Sequence, residues 1–341
     1  MVRVRRRGES RGMRLLVLGG TEFAGRAVAE AAVARGWEVT LFNRGRREGP
    51  AGTRRLVGDR TRADGLEALR DGEWDTVVDT WATAPRVVRD SARLLAGRVG
   101  HYTYVSSCSV YAWPPAVGFD ESSPVVESSA DAEDVPYAEA KRGGELAVTE
   151  AFGAERSLLV RAGLLLGPWE NIDRLPWWLR RIRRGGPVLA PGPRDNALQY
   201  IDIRDLAEWT LSAAEARLSG PYNLVSEPGH TTMEELLTAC AEVTGSSAEL
   251  RWTEPGAIIE AGIEPWTQLP VWVPRTEAEL YNAVYRVSVG KALRAGLRCR
   301  PVRETVADTW EWMLSADGSG GRPPRRAVGL APELEAKVLG L

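Results

Sequence analysis

Tyr137 and Lys141 are the side chains in this sequence best placed to do chemistry. They lie in Asp134-Val135-Pro136-Tyr137-Ala138-Glu139-Ala140-Lys141, four residues apart and so on one face of a helix. A phenol of pKa ~10 is a poor proton donor near neutrality, and a neighbouring ammonium stabilises its phenolate. Such a pair can serve as a general acid and base. The chain has 8 tyrosines, and with lysines only at 141, 291 and 337 chance placement would give about 0.07 such pairs. The competing explanation is a surface pair on a solvated helix. Asp134 is the expected N-cap of this helix, with Pro136 at an early helical position.

Upstream, Ser106-Ser107-Cys108-Ser109-Val110-Tyr111 follows the apolar run Tyr102 to Val105, so its hydroxyls emerge at the end of a strand. Other chemistries have little to work with. His101 and His230 are isolated from any Cys or His cluster, which argues against a zinc site or a Ser-His-Asp triad. His101 heads an apolar strand and reads as structural. Cys108, Cys240 and Cys299 are too scattered for a disulfide framework, and they point to a reducing, cytoplasmic setting.

The stretch that must organise these groups lies near the start. Arg14 to Leu18 is a short apolar strand that runs into Gly19-Gly20-Thr21-Glu22-Phe23-Ala24-Gly25, and a helical pattern begins at once. Glycine at such a turn permits positive φ and close approach of the backbone to a ligand. The following helix start offers unpaired N–H groups and a positive dipole end, which suit a pyrophosphate. Gly19, Gly20, Thr21, Phe23, Ala24 and Gly25 are therefore candidate cofactor residues, against the plainer reading of an ordinary strand-to-helix turn.

Further strands are expected at Glu38 to Phe42, Arg55 to Val57, Thr76 to Asp79, Tyr102 to Val105 and Leu158 to Arg161, with helices at about 63–69 and 85–96. This alternation implies a doubly wound parallel sheet, an α/β Rossmann fold with ligands beyond the carboxyl ends of the strands. Asn43 and Arg44 follow the second strand, where the adenine ribose is expected. Arg44 suits a 2′-phosphate, favouring NADP with NAD as the alternative, unless the loop is merely solvated. Asp59 either bonds the adenine amino group or caps the next helix, and Arg60 stands beside it. Thr80, Trp81 and Ala82 follow the fourth strand and complete the cofactor set with Tyr137 and Lys141.

With 44% hydrophobic and 26% charged residues, the 341-residue chain reads as a globular protein. A net charge of −2 gives no footing for nucleic acid or an anionic membrane as partner, which leaves a small-molecule substrate. No apolar run approaches the ~20 residues that span a bilayer. Residues 1–12 read as a disordered leader, with Met13 a second candidate start. The dinucleotide domain is expected over 13–165, also receiving roughly 198–225, and a smaller irregular substrate lobe over 166–315. Residues 316–341 read as a linker (316–326) and a tail helix from Pro332 to Leu339.

Over roughly residues 13–315 the sequence resembles the extended short-chain dehydrogenase/reductase family, in its epimerase/dehydratase-like branch. The resemblance rests on Gly19 to Gly25, Ser106 to Tyr111, Tyr137-x-x-x-Lys141, Arg161 to Gly167-Pro168, and Tyr200-Ile201-Asp202-Ile203-Arg204-Asp205. It implies Tyr137 as acid/base, Lys141 holding the nicotinamide ribose, and Ser107 polarising the reacting carbonyl. It also implies a homodimer through helices near 85–97 and 137–152. Two departures stand out. Glu22 replaces a glycine of the turn, where a carboxylate would repel phosphate unless it points away. Cys108 and Ser109 replace the acidic pair of the sugar dehydratases, which argues against elimination of water.

The second half is rich in tryptophan, expected mostly in the lobe's core, with Trp81, Trp113 and Trp169 nearer the pocket. Cys108, Ser109, Trp113 and Trp169 are the candidate substrate residues. Arg180, Arg181, Arg183 and Arg184 read as a solvated helix face, Asp205 as a helix cap, and Thr231 to Glu235 as a capping box. Pro255 to Pro274 is either a lid or a packed connection. The leading function is an NAD(P)-dependent oxidoreductase acting on a carbonyl, alcohol or enone of a small metabolite. A nucleotide-sugar epimerase and a non-catalytic nucleotide- or RNA-binding protein are the alternatives.

Overall fold

Apolar runs near the N-terminus form strands of a sheet covered on both sides, the edge strand Arg54–Val57 alone among the first five being largely exposed. In β1 (Arg14–Leu18) the residues Leu15 to Leu18 are all buried, as befits a strand covered on both sides. The structure, a computed structural model, describes residues 12–315 and 328–341. Residues 1–11 of the expected leader and all of the expected linker 316–326 lie outside the described residues.

The other strands of the central sheet are β2 (Glu38–Asn43), β3 (Arg54–Val57), β4 (Trp74–Asp79), β5 (Val99–Ser107), β6 (Ser157–Ala162) and β7 (Gly220–Leu224). All neighbours pair in parallel, in the order β7-β6-β5-β4-β1-β2-β3. This is the expected doubly wound, Rossmann-like α/β sheet. Its order reverses between β1 and β4, so ligand space opens beyond the carboxyl ends of these two strands.

Helices α1 (Phe23–Ala34) and α5 (Ile203–Glu215) pack on one face of the sheet. Helices α2 (Pro85–Leu95) and α3 (Tyr137–Phe152) pack together on the other. Gly143 and Gly144 allow that second packing. A Cβ at 143 would lie 2.5 Å from the Pro85 ring, and one at 144 would lie 2.4 Å from the Tyr104 hydroxyl.

A separate apolar cluster is built by α4 (Arg174–Arg183), α6 (Met233–Thr244), the paired strands Pro187–Pro191 and Glu249–Thr253, and the helix Val302–Leu314. Trp178 and Trp272 are fully buried here, and their indole N–H groups donate to the carbonyls of Pro270 (2.7 Å) and Gly192 (3.0 Å). Pro255 to Pro274 is a packed connection rather than a lid, with Ile258, Ile263, Leu269, Val271 and Trp272 in the core.

Several local expectations need correction. Residues 63–69 form turns and a single 3-10 turn at Glu67–Leu69 rather than a helix, and Asp59 caps its own turn by accepting from the Thr61 amide and hydroxyl. Asp134 does not cap α3, whose preceding residue is Pro136. The cap of α5 is Asp202, which accepts from the Arg204 amide at 2.8 Å; Asp205 instead binds the Arg300 amide and guanidinium. Thr232 and Glu235 do form a capping box at α6. Arg181 is buried rather than solvated, and its Nε donates to Glu335 of the helix Pro332–Leu339 at 2.6 Å.

The sheet's internal charge sits at the end of β4. Asp79 has 0% exposure and accepts two bonds from Arg60 at 2.7 Å each, one from the Tyr102 hydroxyl at 2.7 Å and one from the Trp81 amide at 3.0 Å. Burial alone would raise its pKa, but the Arg60 guanidinium together with the Tyr102 and Trp81 hydrogen bonds outweighs that and holds the carboxyl below its ordinary value. Removing the charge leaves Arg60 unpaired in the core, so Asp79→Asn is expected to destabilise the fold by about 3–5 kcal/mol. Urea denaturation measures this, and an unchanged midpoint would show that the pair does not anchor the sheet.

Candidate active site

The glycine turn after β1 is shaped by contacts that exclude side chains. Gly19 and Gly20 have φ of +123° and +86°. A Cβ on Gly20 would come within 2.6 Å of Leu41, and one on Gly25 within 2.7 Å of the Gly20 amide nitrogen. Helix α1 can therefore begin directly against the turn. No side-chain cap bond is made at its N-terminus and no acidic residue lies in its first turn, so its leading N–H groups and dipole face an anion's natural position.

These elements wall a cleft of about 720 Å³. Gly19, Gly20, Thr21, Phe23, Ala24, Gly25, Asn43, Arg44, Asp59, Arg60, Thr80, Trp81 and Ala82 all line it, as do Glu22, Arg46, Arg47, Thr83 and Asn171. Its size and its glycine cradle fit a dinucleotide. Some of these residues hold the walls. The Asn43 amide donates to the Gly19 carbonyl at 3.3 Å, and the Thr80 hydroxyl to that of Leu18 at 3.4 Å. Arg60 lines the cleft, yet its guanidinium is committed to Asp79, Ser91 and the Val87 carbonyl. Asp59 faces Arg44 and Arg46, and its pKa is lowered first by the Thr61 hydrogen bonds and then by these two charges. Glu22, Arg46, Arg47, Thr83 and Asn171 are additions; Arg46 and Arg47 extend the visible basic run, whereas nothing in the residues around Asn171 announces it.

On the other side of Trp81 stand the groups expected to do chemistry. Tyr137 opens α3 with 47% of its surface exposed, and Lys141, one turn on, has only 3%. The Lys141 ammonium donates to the carbonyls of Trp81 and Val105, both at 2.7 Å. Burial pulls its pKa down to about 8, against the opposing pull of Asp79 and Glu145. Two of its three N–H donors are thus satisfied within the protein. Val105 lies two residues before Ser107, so this clamp draws α3 to the end of β5. The Ser107 oxygen accepts from the Ser109 amide at 3.1 Å and caps the 3-10 turn Cys108–Val110. Glu145, buried on α3, accepts from Ser106 (2.8 Å) and twice from Arg161 (2.9 Å), fixing the same corner.

The four expected substrate residues are dispersed. Cys108 donates to the Arg161 carbonyl at 3.2 Å, and burial pushes its thiol up to about 12. Ser109 is exposed beside it. Trp113 is 58% exposed and Trp169 lies under Arg26, whose guanidinium sits 3.7 Å from its ring centre. None of the four is among the residues lining the cleft, and neither are Ser107, Tyr137 and Lys141, although the last two are expected to hold the cofactor; Lys141 reaches the cleft wall only through the Trp81 carbonyl.

Residues 15–224 match the NAD dependent epimerase/dehydratase family. The chain belongs to that family. It is 27% identical over 263 residues to the epimerase family protein SDR39U1 of Bos taurus, covering 73% of this chain and 86% of that protein. It is 24% identical over 252 residues to the chloroplast stem-loop binding protein of 41 kDa b of Arabidopsis thaliana, covering 68% of this chain and 63% of that protein's length. Among solved structures, the Thermus thermophilus UDP-glucose 4-epimerase in complex with NAD superposes with a TM-score of 0.58 at 20% identity, over 89% of this chain and all of that one. Such a likeness carries the fold. Among the described residues no helix is long and apolar enough to cross a membrane.

Beside the cleft, the buried carboxylate of Glu170 accepts from the amides of Arg174 (2.8 Å) and Leu175 (3.1 Å) and so caps α4. Burial pushes its pKa from the ordinary 4.5 up to about 7, despite Arg174 and the two amides. The folded value is the higher one, so the fold prefers the protonated form. That stabilisation is complete below about pH 4.5 and is lost as pH rises through about 7. Wild type should lose about 3 kcal/mol relative to Glu170→Gln across this window. Parallel denaturation curves at several pH values check it; parallel pH profiles for the two proteins would refute it.

Proposed function

We propose that the protein is an NADP(H)-linked oxidoreductase, with NAD(H) the second cofactor, that interconverts a carbonyl and an alcohol on a small metabolite. Trp81 is the observation that carries this reading. It lines the dinucleotide-sized cleft, and its carbonyl accepts the Lys141 ammonium at 2.7 Å, so the cleft and the Tyr137–Lys141 helix meet at one residue. The glycine cradle and the start of α1 would hold the pyrophosphate. Arg44 and Arg46 favour a phosphorylated ribose. The bound cofactor supplies hydride chemistry. Tyr137 exchanges the proton on the substrate oxygen, Lys141 steadies its phenolate, and Ser107 polarises the carbonyl.

Two other readings have specific support. Likeness to a UDP-glucose 4-epimerase favours a nucleotide-sugar epimerase, which would retain its cofactor through gel filtration. Likeness to a stem-loop binding protein favours RNA or nucleotide binding without turnover, against a net charge of −2 and the presence of Tyr137 with Lys141. Titration with NADPH and NADH, followed by a screen of carbonyl compounds for loss of reduced-cofactor absorbance, tests the leading reading. In that assay Tyr137→Phe should lower turnover by about 10²–10⁴-fold while cofactor affinity stays within about threefold. Turnover that survives the substitution would remove Tyr137 from the mechanism.

A further inference from the structure

Glu22 occupies a place in the cleft where a carboxylate is not expected, and it does not turn away. It precedes α1 in extended conformation (φ −139°, ψ 148°) and makes no capping bond to that helix. Its carboxylate instead forms an ion pair with Arg47 of the β2–β3 loop and accepts from the Asn171 amide, on the segment after β6, at 3.2 Å. All three residues line the cleft. One side chain therefore ties together the glycine turn, the basic loop and the segment leading to α4. Of the cleft's arginines, Arg60 is committed to Asp79, Arg47 pairs with Glu22, and Arg44 and Arg46 lie close enough to Asp59 for their charges to lower its pKa.

We propose that Glu22 is a specificity-determining residue: its carboxylate holds Arg47 in the position of an anion, so the cleft's preference between phosphorylated and unphosphorylated dinucleotide is set by competition for Arg47. This rests on the dinucleotide reading above. A 2′-phosphate reaches Arg47 only by displacing Glu22, and it meets the carboxylate's repulsion while doing so. An unphosphorylated ribose leaves the Glu22–Arg47–Asn171 latch closed. Glu22 therefore narrows the advantage that a basic loop would otherwise give the phosphorylated cofactor.

The test is fluorescence titration of NADPH and NADH into wild type, Glu22→Gln, Arg47→Gln and the double variant, each checked for an unchanged thermal melt. Glu22→Gln keeps the Asn171 contact but removes the carboxylate that competes for Arg47, and should tighten NADPH at least about tenfold relative to NADH. Arg47→Gln should weaken NADPH selectively, and in the double variant the gain from Glu22→Gln should vanish. If Glu22→Gln shifts both cofactors equally, or its effect persists without Arg47, the inference fails while the cofactor reading stands. If no protein in the set binds either dinucleotide, the cofactor reading itself fails and takes this inference with it.

Discussion

A carboxylate removed from water must have its lone pairs filled, and in this protein that requirement fixes the centre of the molecule. Asp79 ends the strand beside β1 and receives four donors, two from Arg60 and one each from Tyr102 and Trp81. Its bond to the Trp81 amide sets the direction of the next peptide. The Trp81 carbonyl then accepts from the Tyr104 hydroxyl at 2.9 Å as well as from Lys141. A single buried charge thus leads, in two steps, to the lysine of α3. The low dielectric that makes such charges costly also makes their satisfied geometry stiff.

The same logic separates the groups that build the cleft from those left to act on a ligand. Arg60, Asn43 and Thr80 line it, but their polar atoms serve the walls. Arg44, Arg46 and Arg47 are exposed cations on a loop between two strands, and the first turn of α1 supplies backbone donors without an acidic side chain. Under the proposed reading, recognition of the cofactor's phosphates would fall to a short basic segment and to the peptide backbone. Scaffold and ligand contacts come from neighbouring residues with different duties.

Much of the fold was readable because its signals are local. Apolar runs such as Leu15 to Leu18 and Leu158 to Val160 mark strands, and glycines at 19, 20 and 25 mark the turn through the contacts that a Cβ would violate. Features set by distant partners were not readable. Arg181 looks like part of a solvated charge run until Glu335, 154 residues away, is seen beside it. Asp205 resembles a cap, but Arg300 claims it. In the site, the spacing of Tyr137 and Lys141 announced one helical face, whereas the burial of Lys141 against two carbonyls depends on β4 and β5. Asn171 enters the cleft from a segment of irregular backbone, where no periodicity exists to be read.

The helix Pro332–Leu339 has a bearing on how the protein can be handled. Glu335 gives one oxygen to the Arg181 guanidinium and the other to the Leu189 amide, at 3.1 Å, on the edge of the second apolar cluster. Trimming the chain ahead of Pro332 would remove the carboxylate that both the Arg181 guanidinium and the Leu189 amide donate to, and uncover the apolar surface the helix packs on. Shortened versions made to ease crystallisation would thus sacrifice stability, and an affinity tag is better attached beyond residue 341 than in place of these last turns.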